Sequence, residues 1–324
     1  MKKYLISGAT GIIGSELIKY LAERDNATHF FILTRDEKKC QEKFAYLKNV
    51  EFINWVNLQN SLVNDVDAII HLAAPTSSSY FVDKPVETID TIYSYTKLLL
   101  DYARQKKVKS FIFMSSMEVY GELESWTKVK EKEIGFLDIQ NVRSSYPMAK
   151  RLAELLCLSY CKEYGVPVKI IRPTLVIPTL YSRDDNRVIP FAIKCIEKGV
   201  DIELATDGNS KRDYIGVLDL VKAICLIEEK GQIGGVYNAS NEDSYCSINE
   251  MLECLLRVKE SSHLKILHKK TTKTSYYPKK QCIALDNEAL KCLGWQATES
   301  LEELLRKANL DKHDDDEIKN QKHN

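Results

Sequence analysis

The stretch Gly8-Ala-Thr-Gly11-Ile-Ile-Gly14 decides the fold class, because it lies between an apolar run at 3–6 and apolar residues at helical spacing in 16–21. A strand therefore passes through a glycine-rich turn into a helix. There, a first glycine permits the tight bend, a second lets the backbone approach a pyrophosphate, and a third allows close helix–strand packing. The phosphates would lie at the positive N-terminus of the helix. The residues expected to contact a dinucleotide are Gly8, Thr10, Gly11, Ile12, Ile13 and Gly14.

Further apolar runs alternate with helical patterns along the first half of the chain. They cover residues 30–33, 50–53, 68–72, 111–114 and 168–171. Continuous apolar runs of this kind are typical of strands buried on both faces of a parallel sheet. Helices predicted at 86–107 and 146–164 would be wound onto both faces by right-handed crossovers. The sequence therefore predicts an α/β fold with a Rossmann-type, doubly wound parallel sheet.

The regular alternation fades beyond Arg172-Pro173, and helical patterns follow at 188–199, 217–229, 247–258 and 299–309. We therefore predict a dinucleotide-binding domain over 1–175, with segments at about 212–240 returning to it. Residues 176–310 are predicted to form mainly a smaller, mixed substrate-binding region. The charged and amide side chains of 311–324 predict a disordered tail.

The composition argues against several classes of partner. Lysine plus arginine and aspartate plus glutamate number 46 each, so neither nucleic acid nor an acidic membrane surface is an expected partner. No apolar run approaches the ~20 residues that span a bilayer, and the N-terminus enters the first strand without a signal-peptide pattern. A cytoplasmic protein is expected. The nine cysteines are scattered singly, which predicts reduced thiols and no metal site.

Tyr146 and Lys150 are the clearest candidates for catalysis. A phenol and an amine four residues apart share one face of a helix. An ammonium there can favour the phenolate and make the phenol a proton acceptor. Together with Ser115-Ser116 upstream, this pair predicts a site that oxidises an alcohol.

These residues together resemble the extended short-chain dehydrogenase/reductase family, which contains nucleotide-sugar epimerases, dehydratases and decarboxylases. The resemblance spans roughly residues 3 to 240 and implies a bound NAD or NADP and a nucleoside-diphosphate sugar. Besides the glycine motif, the segments that carry it are His71-Leu-Ala-Ala74, Ser115-Ser-Met-Glu-Val-Tyr-Gly121, Tyr146 to Lys150, Arg172-Pro173, Gly208 to Tyr214 with Asp219, and Gly235-Val-Tyr-Asn238.

The resemblance also implies roles for individual residues. Tyr146 would take the proton from the sugar 4-hydroxyl, and Ser116 would hydrogen-bond the same hydroxyl. Lys150 would lower the tyrosine pKa and bind the nicotinamide ribose. Further cofactor contacts are implied for Asn57, Leu58, Leu72, Ala73 and Ala74.

Departures from the family pattern bear on the reaction. Dehydratases resemble one another in an Asp-Glu pair where this chain has Met117-Glu118, and a methionine cannot donate a proton. The segment from Glu118 to Gly121, with Arg143-Ser-Ser-Tyr146, looks like that of UDP-glucuronate decarboxylases. Glu118 is therefore a candidate catalytic acid or base, and the alternative is a solvated or ion-paired carboxylate. Simple 4-epimerases need no further acid or base.

Charged residues suggest where the phosphates of both ligands bind. Arg35, after the second strand, would pair with a 2′-phosphate and favours NADP, whereas Asp36 could hold the ribose of NAD. Arg187 and Arg212 are candidates for the sugar-nucleotide diphosphate. His71, at a strand end, is predicted to brace a loop rather than to catalyse.

The sequence thus predicts a nucleotide-sugar epimerase that acts through a 4-keto intermediate. The alternatives are a decarboxylase or dehydratase, a 4-ketosugar reductase, and a non-catalytic dinucleotide-sensing protein. The resemblance also implies a homodimer packed through the helices at 86–107 and 146–164. Apolar residues for that interface would be Tyr93, Leu98, Leu99, Leu100, Leu155 and Leu156.

Overall fold

The computed structural model describes residues 1–58, 63, 65–123, 128–269 and 282–311. Its strands are β1 (Lys3–Ser7), β2 (His29–Thr34), β3 (Val50–Asn54), β4 (Ala68–His71), β5 (Ser110–Met114), β6 (Val168–Pro173), β7 (Leu175–Ile177), β8 (Leu180–Tyr181), β9 (Ile202–Leu204), β10 (Lys211–Gly216), β11 (Val236–Ala239), β12 (Asn241–Ser247), β13 (Ile266–His268), β14 (Cys282–Ile283) and β15 (Asn309–Leu310).

The α-helices are α1 (Ile12–Arg24), α2 (Glu37–Lys43), α3 (Ser78–Asp83), α4 (Pro85–Lys106), α5 (Ser145–Tyr164), α6 (Val188–Lys198), α7 (Val217–Lys230), α8 (Ile248–Val258), α9 (Glu288–Lys291) and α10 (Leu301–Lys307). Short 3-10 helices cover Trp55–Asn57, Met117–Tyr120 and Val142–Ser144. None of these described helices has the length and apolar character needed to cross a membrane.

Seven parallel strands form the main sheet in the order β11-β6-β5-β4-β1-β2-β3. The chain first builds outward from β1 to β3 and then returns to β4 on the other side of β1. This reversal makes a crevice at the carboxyl ends of β1 and β4, where Ser7 pairs with His71. The predicted doubly wound α/β fold is confirmed.

Successive residues of the central strands face opposite layers of the molecule, which explains their continuous apolar sequences. Ile6 packs in the layer that contains α1 and α7, whereas its neighbour Leu5 packs in the layer with α4 and α5. Both layers consist of buried apolar side chains, so the strand ends that carry the glycine turn rest on a packed core.

A second group of elements has a hydrophobic cluster of its own, made by α6, α8, α10 and the strands around them. β10 pairs with β7, β12 and β14 in a four-stranded sheet, while α7 packs on α1 and β11 joins the main sheet. The division into a cofactor domain and a substrate region stays a prediction.

The structure shortens one helix predicted in this part of the chain, and it describes only the first residue of the predicted tail. The helix predicted at 299–309 ends at Lys307, because Asn309 and Leu310 leave it to pair with β8. The predicted tail, apart from Asp311, lies outside the described residues.

Burial corrects part of the predicted dimer interface. Leu99 and Leu100 lie on α4 with fully buried side chains that pack in the core beneath the main sheet. They hold α4 on its own subunit and cannot contribute to an intersubunit surface. Leu155, in contrast, is exposed on α5.

Candidate functional site

The glycine turn forms a cradle of backbone that side chains would obstruct. A Cβ on Gly8, whose φ is +74°, would lie 2.8 Å from the Ala73 nitrogen, and one on Gly14 would lie 2.3 Å from the Gly8 oxygen. Gly11 caps α1 without a side-chain hydrogen bond, so the first N–H groups of that helix are not covered by a capping side chain. This cradle fits a dinucleotide pyrophosphate, whose oxygens accept from such N–H groups.

His71 braces the loop opposite the glycine turn. Its Nδ1 lies 2.6 Å from Ser7 Oγ and its Nε2 lies 3.1 Å from Thr96 Oγ1, while the Ala73 nitrogen donates to Ser7 Oγ. Burial, followed by the charge of Lys150, lowers the pKa of His71 to about 3, so the ring stays neutral. The structure therefore gives His71 the bracing position that its place at a strand end predicts.

The side chains after β2 and β3 that are predicted to contact a cofactor differ in how accessible they are. Asp36 caps α2, since its Oδ1 accepts from the Lys39 nitrogen at 3.0 Å. Arg35 is exposed. Asn57 is exposed, whereas the side chain of Leu58 is fully buried in the core and is withheld from a ligand.

Two elements, β5 and α5, bring Ser116, Tyr146 and Lys150 together. Ser116 follows β5, and Tyr146 and Lys150 lie in the first turns of α5. The Tyr146 side chain hydrogen-bonds to Ser116, and its ring stacks on Phe81 with 4.2 Å between centroids and 8° between planes. Lys150 Nζ donates to the Met114 oxygen at 2.6 Å and lies 5.9 Å from the centroid of the Tyr146 ring.

The groups that shift the pKa of Tyr146 differ from the one that the family resemblance implies, Lys150. Burial raises its pKa well above the usual value, and the charge of Glu118 raises it further. The hydrogen bond to Ser116 and the charge of Arg143 lower it. Lys150, predicted to lower it, points to the Met114 oxygen instead, and burial lowers the pKa of Lys150 itself to about 8.

The sequence predicts no role for Arg143, yet this residue belongs to the site. Its guanidinium contacts both carboxylate oxygens of Glu118, at 2.9 and 3.0 Å, and lies 4.9 Å from the centroid of the Phe81 ring. Its position three residues before Tyr146 is the signal that could have revealed it. Glu118 is thus ion-paired, as one of the two alternatives for it predicts.

Met117 is directed away from solvent. Its side chain is buried, and Thr174 Oγ1 donates to its sulfur at 3.4 Å. The position that holds an acid in dehydratases therefore presents a packed thioether.

The predicted phosphate-binding arginines lie beside buried tyrosines of the second cluster. Burial raises the pKa of Tyr181 and of Tyr214, and the nearby charges of Arg187 and Arg212, respectively, oppose that rise. Arg187 Nε donates to Asp185 Oδ2 at 2.9 Å. Arg212 Nε is buried with no hydrogen-bond partner among the described residues, so this cation retains a free donor.

Known proteins match this chain over most of its length. The model of the NAD dependent epimerase/dehydratase family matches residues 4–240. A UDP-N-acetyl-alpha-D-glucosaminuronate decarboxylase of Bacillus cytotoxicus is 30% identical over 82% of this chain and 83% of that protein. UDP-glucuronic acid decarboxylase 5 of Arabidopsis thaliana is 28% identical over 93% of this chain and 86% of that protein.

Solved structures of epimerases share the fold. A UDP-N-acetylglucosamine 4-epimerase from Methanobrevibacter ruminantium superposes with a TM-score of 0.80 at 25% identity, covering 95% of this chain and 96% of that one. The UDP-glucose 4-epimerase from Thermotoga maritima gives 0.81 at 25% identity, covering 94% and 97%. The chain belongs to the NAD-dependent epimerase/dehydratase family of extended short-chain dehydrogenases/reductases, and it is an enzyme of that family.

Proposed function

We propose that this enzyme is an NAD(P)-dependent epimerase that inverts a nucleoside-diphosphate sugar through a 4-keto intermediate. One observation carries the proposal. The residues for alcohol oxidation lie together, whereas both side chains that follow Ser116 are engaged, Met117 in packing and Glu118 in its ion pair with Arg143. Epimerisation at carbon 4 requires the residues for alcohol oxidation. It does not require a free acid or base at Met117 or Glu118.

Tyr146 would act as base and then as acid on the sugar 4-hydroxyl. As the O–H bond breaks and the C=O bond forms, the phenolate takes the proton, and Ser116 donates a hydrogen bond to the same oxygen. When bound, the nicotinamide supplies the acceptor for the hydride that leaves carbon 4 and later returns it. The proton returns from Tyr146 to the oxygen, so the reaction is balanced for an isomer.

The cations of the second cluster would hold the substrate. Arg212 offers an unpaired buried donor, and Arg187, which is ion-paired with Asp185, lies beside Tyr181. A diphosphate accepts charge-assisted hydrogen bonds from such groups. Anchoring at the diphosphate would leave the sugar free to turn over between oxidation and reduction, as epimerisation demands.

We also propose NADP as the cofactor. Asp36, the acidic residue available for the ribose hydroxyls of NAD, already uses one carboxylate oxygen to cap α2. Arg35 beside it is exposed and forms no ion pair within the described ranges, so it is suited to a 2′-phosphate.

Decarboxylation of a nucleotide-linked uronate is the second candidate, and Arg143 favours it. A ketone at carbon 4 makes the carboxylate on carbon 5 that of a β-keto acid, which loses carbon dioxide without an acid at Met117. Arg143, which holds the carboxylate of Glu118, is a cation of the kind that binds a uronate. The similarity to decarboxylases points the same way.

The test combines cofactor release with product mass. Mass spectrometry of the denatured protein identifies any NAD(H) or NADP(H), and the native enzyme is then given nucleoside-diphosphate hexoses and hexuronates. An isomeric product that Tyr146→Phe no longer forms and Glu118→Gln still forms supports the epimerase. Loss of carbon dioxide from a hexuronate would establish the second candidate. Cofactor binding without any turnover, unchanged in Tyr146→Phe, would support a non-catalytic sensor.

A further inference from the structure

Phe81, on α3, is a shared partner of the residues that begin α5. Its ring stacks on the Tyr146 ring with 4.2 Å between centroids and 8° between planes. Its backbone oxygen accepts from Ser145 Oγ at 2.9 Å, and its ring centroid lies 4.9 Å from the guanidinium carbon of Arg143. A single residue of α3 therefore contacts three residues between positions 143 and 146.

These contacts restrain the Tyr146 ring. Phe81 and Tyr146 are both buried, and both belong to the hydrophobic cluster that packs α4 and α5 against the main sheet. In close-packed surroundings, a planar ring fixes the plane of the ring that stacks on it. The hydroxyl of Ser145 also holds the backbone from which the Phe81 ring projects. The tilt of the phenol is therefore set by α3 as well as by its own helix.

The tilt of this ring bears on the chemistry, because a phenol oxygen conjugated with its ring exchanges hydrogen bonds best near the ring plane. The Tyr146 oxygen has two partners, namely Ser116 in the structure and the sugar 4-hydroxyl in the proposed reaction. Proton transfer requires the two oxygens to approach within about 2.6–3.2 Å, and a misplacement of ~1 Å can slow a reaction ~100-fold. A ring that tilts away from its position would lose alignment with one partner or the other.

We propose that Phe81 is a positioning residue, which holds the Tyr146 ring so that its oxygen can serve Ser116 and the substrate hydroxyl at the same time. The inference rests on the proposed function, in which Tyr146 is the proton acceptor. The place of α3 suits this role, because residues 72–77 join it to β4 and the Ala73 nitrogen lies close to Gly8. The base is thus braced by an element that follows directly from the loop beside the dinucleotide cradle.

The experiment compares Phe81→Met with Phe111→Met, a matched change in the same hydrophobic cluster. Methionine fills space but has no planar ring. With saturating cofactor and the nucleoside-diphosphate hexose or hexuronate that the wild type converts, we expect Phe81→Met to lower kcat ~10- to 100-fold and to change KM by less than about threefold. Phe111→Met should keep both constants within about threefold of the wild type. Phe81→Tyr keeps a planar ring and should restore most of kcat.

A second measurement reports on the Tyr146 ring itself and does not require turnover. NMR relaxation of 13C-labelled tyrosine rings gives the order of each ring, and the Tyr146 signal is the one that Tyr146→Phe lacks. Phe81→Met should loosen this ring, whereas Phe111→Met should not. Similar melting temperatures of the two methionine variants would show that the loss of kcat does not come from the fold.

The outcomes separate this inference from the proposed function. An unchanged kcat in Phe81→Met would overturn the inference, and so would equal losses in Phe81→Met and Phe111→Met, because Phe81 would then act only through the core. A wild type that converts no nucleotide sugar would overturn the proposed function. The order of the Tyr146 ring would then decide about Phe81, since an equally ordered ring in Phe81→Met would show that the stack does not position it.

Discussion

Arg143 and Glu118 form a bidentate ion pair beside Tyr146, and the two residues act on its phenol with opposite signs. The guanidinium contacts both carboxylate oxygens and also covers the Phe81 ring on which Tyr146 stacks. The charge of Glu118 raises the pKa of Tyr146, and the charge of Arg143 lowers it. Burial is the largest cause of the raised pKa of Tyr146, and the charges of this pair adjust that pKa in opposite directions.

The first prediction is that substitutions in this pair move the pH dependence of catalysis in opposite directions. Arg143→Met should shift the acidic limb of the kcat/KM profile upward by roughly one pH unit, because the pKa of Tyr146 rises. Glu118→Gln should shift the limb downward by a similar amount. Arg143→Lys keeps the charge and serves as the control. Shifts of the same sign in both variants would contradict the arrangement.

The fold could be predicted because its signals are local. The alternation of Leu5 and Ile6 between two buried layers requires apolar residues at every position of the strand, and the glycine turn follows directly from backbone geometry. Each feature is contained within a few consecutive residues. A parallel doubly wound sheet follows from them by the handedness of its crossovers.

The site could be predicted only in part, because its finer contacts join distant positions. Lys150 reaches the Met114 oxygen across 36 positions of the chain, and Arg143 reaches Glu118 across 25. Periodicity shows which helix face a residue occupies but not which neighbour receives its proton. The capping role of Asp36 was missed because the short helix that it caps carries no apolar pattern.

The second prediction separates two glycines of the turn. Gly14→Ala should lower stability by a few kcal/mol, because its Cβ would lie 2.3 Å from the Gly8 oxygen and 2.7 Å from the Ala9 Cα, so backbone must shift. Gly11→Ala meets only the Gly8 oxygen at 3.3 Å and should largely keep the fold while weakening dinucleotide binding. Thermal unfolding and dinucleotide titration measure the two effects. Equal melting temperatures for the two variants would contradict the steric clash expected for a Cβ at residue 14.

The third prediction concerns Asp213, a fully buried carboxyl on β10 that accepts from the Leu285 nitrogen at 2.7 Å. Burial raises its pKa to about 7. Between its unfolded value near 4 and this folded value, the native state binds a proton that the unfolded state lacks. Asp213 therefore makes the free energy of unfolding fall as the pH rises through this window.

Asp213→Asn should remove that dependence, because a neutral amide oxygen can still accept from Leu285. Urea unfolding of both proteins at pH 5 and pH 8 is the measurement. The wild type should lose on the order of 2 kcal/mol more than the variant over this interval. Any pH-independent loss of stability caused by the amide cancels, because each protein is compared with itself at the two pH values. Parallel pH profiles would show that Asp213 is ionised throughout.

The last prediction tests the homodimer that the family resemblance implies. α4 and α5 pack against each other, and their outer surface carries Val86, Ile89, Leu152 and Leu155, which are 72, 42, 43 and 63% exposed. Burying such side chains against a second copy would be favourable by ~25 cal/mol per Å². Leu155→Glu places a charge on this surface and should convert the dimer into a monomer, with the mass measured by light scattering after gel filtration. Ile233→Glu, at a 59% exposed residue beyond the end of α7, is the matched control and should stay dimeric. A Leu155→Glu variant that keeps the dimer mass would place the interface elsewhere on the molecule.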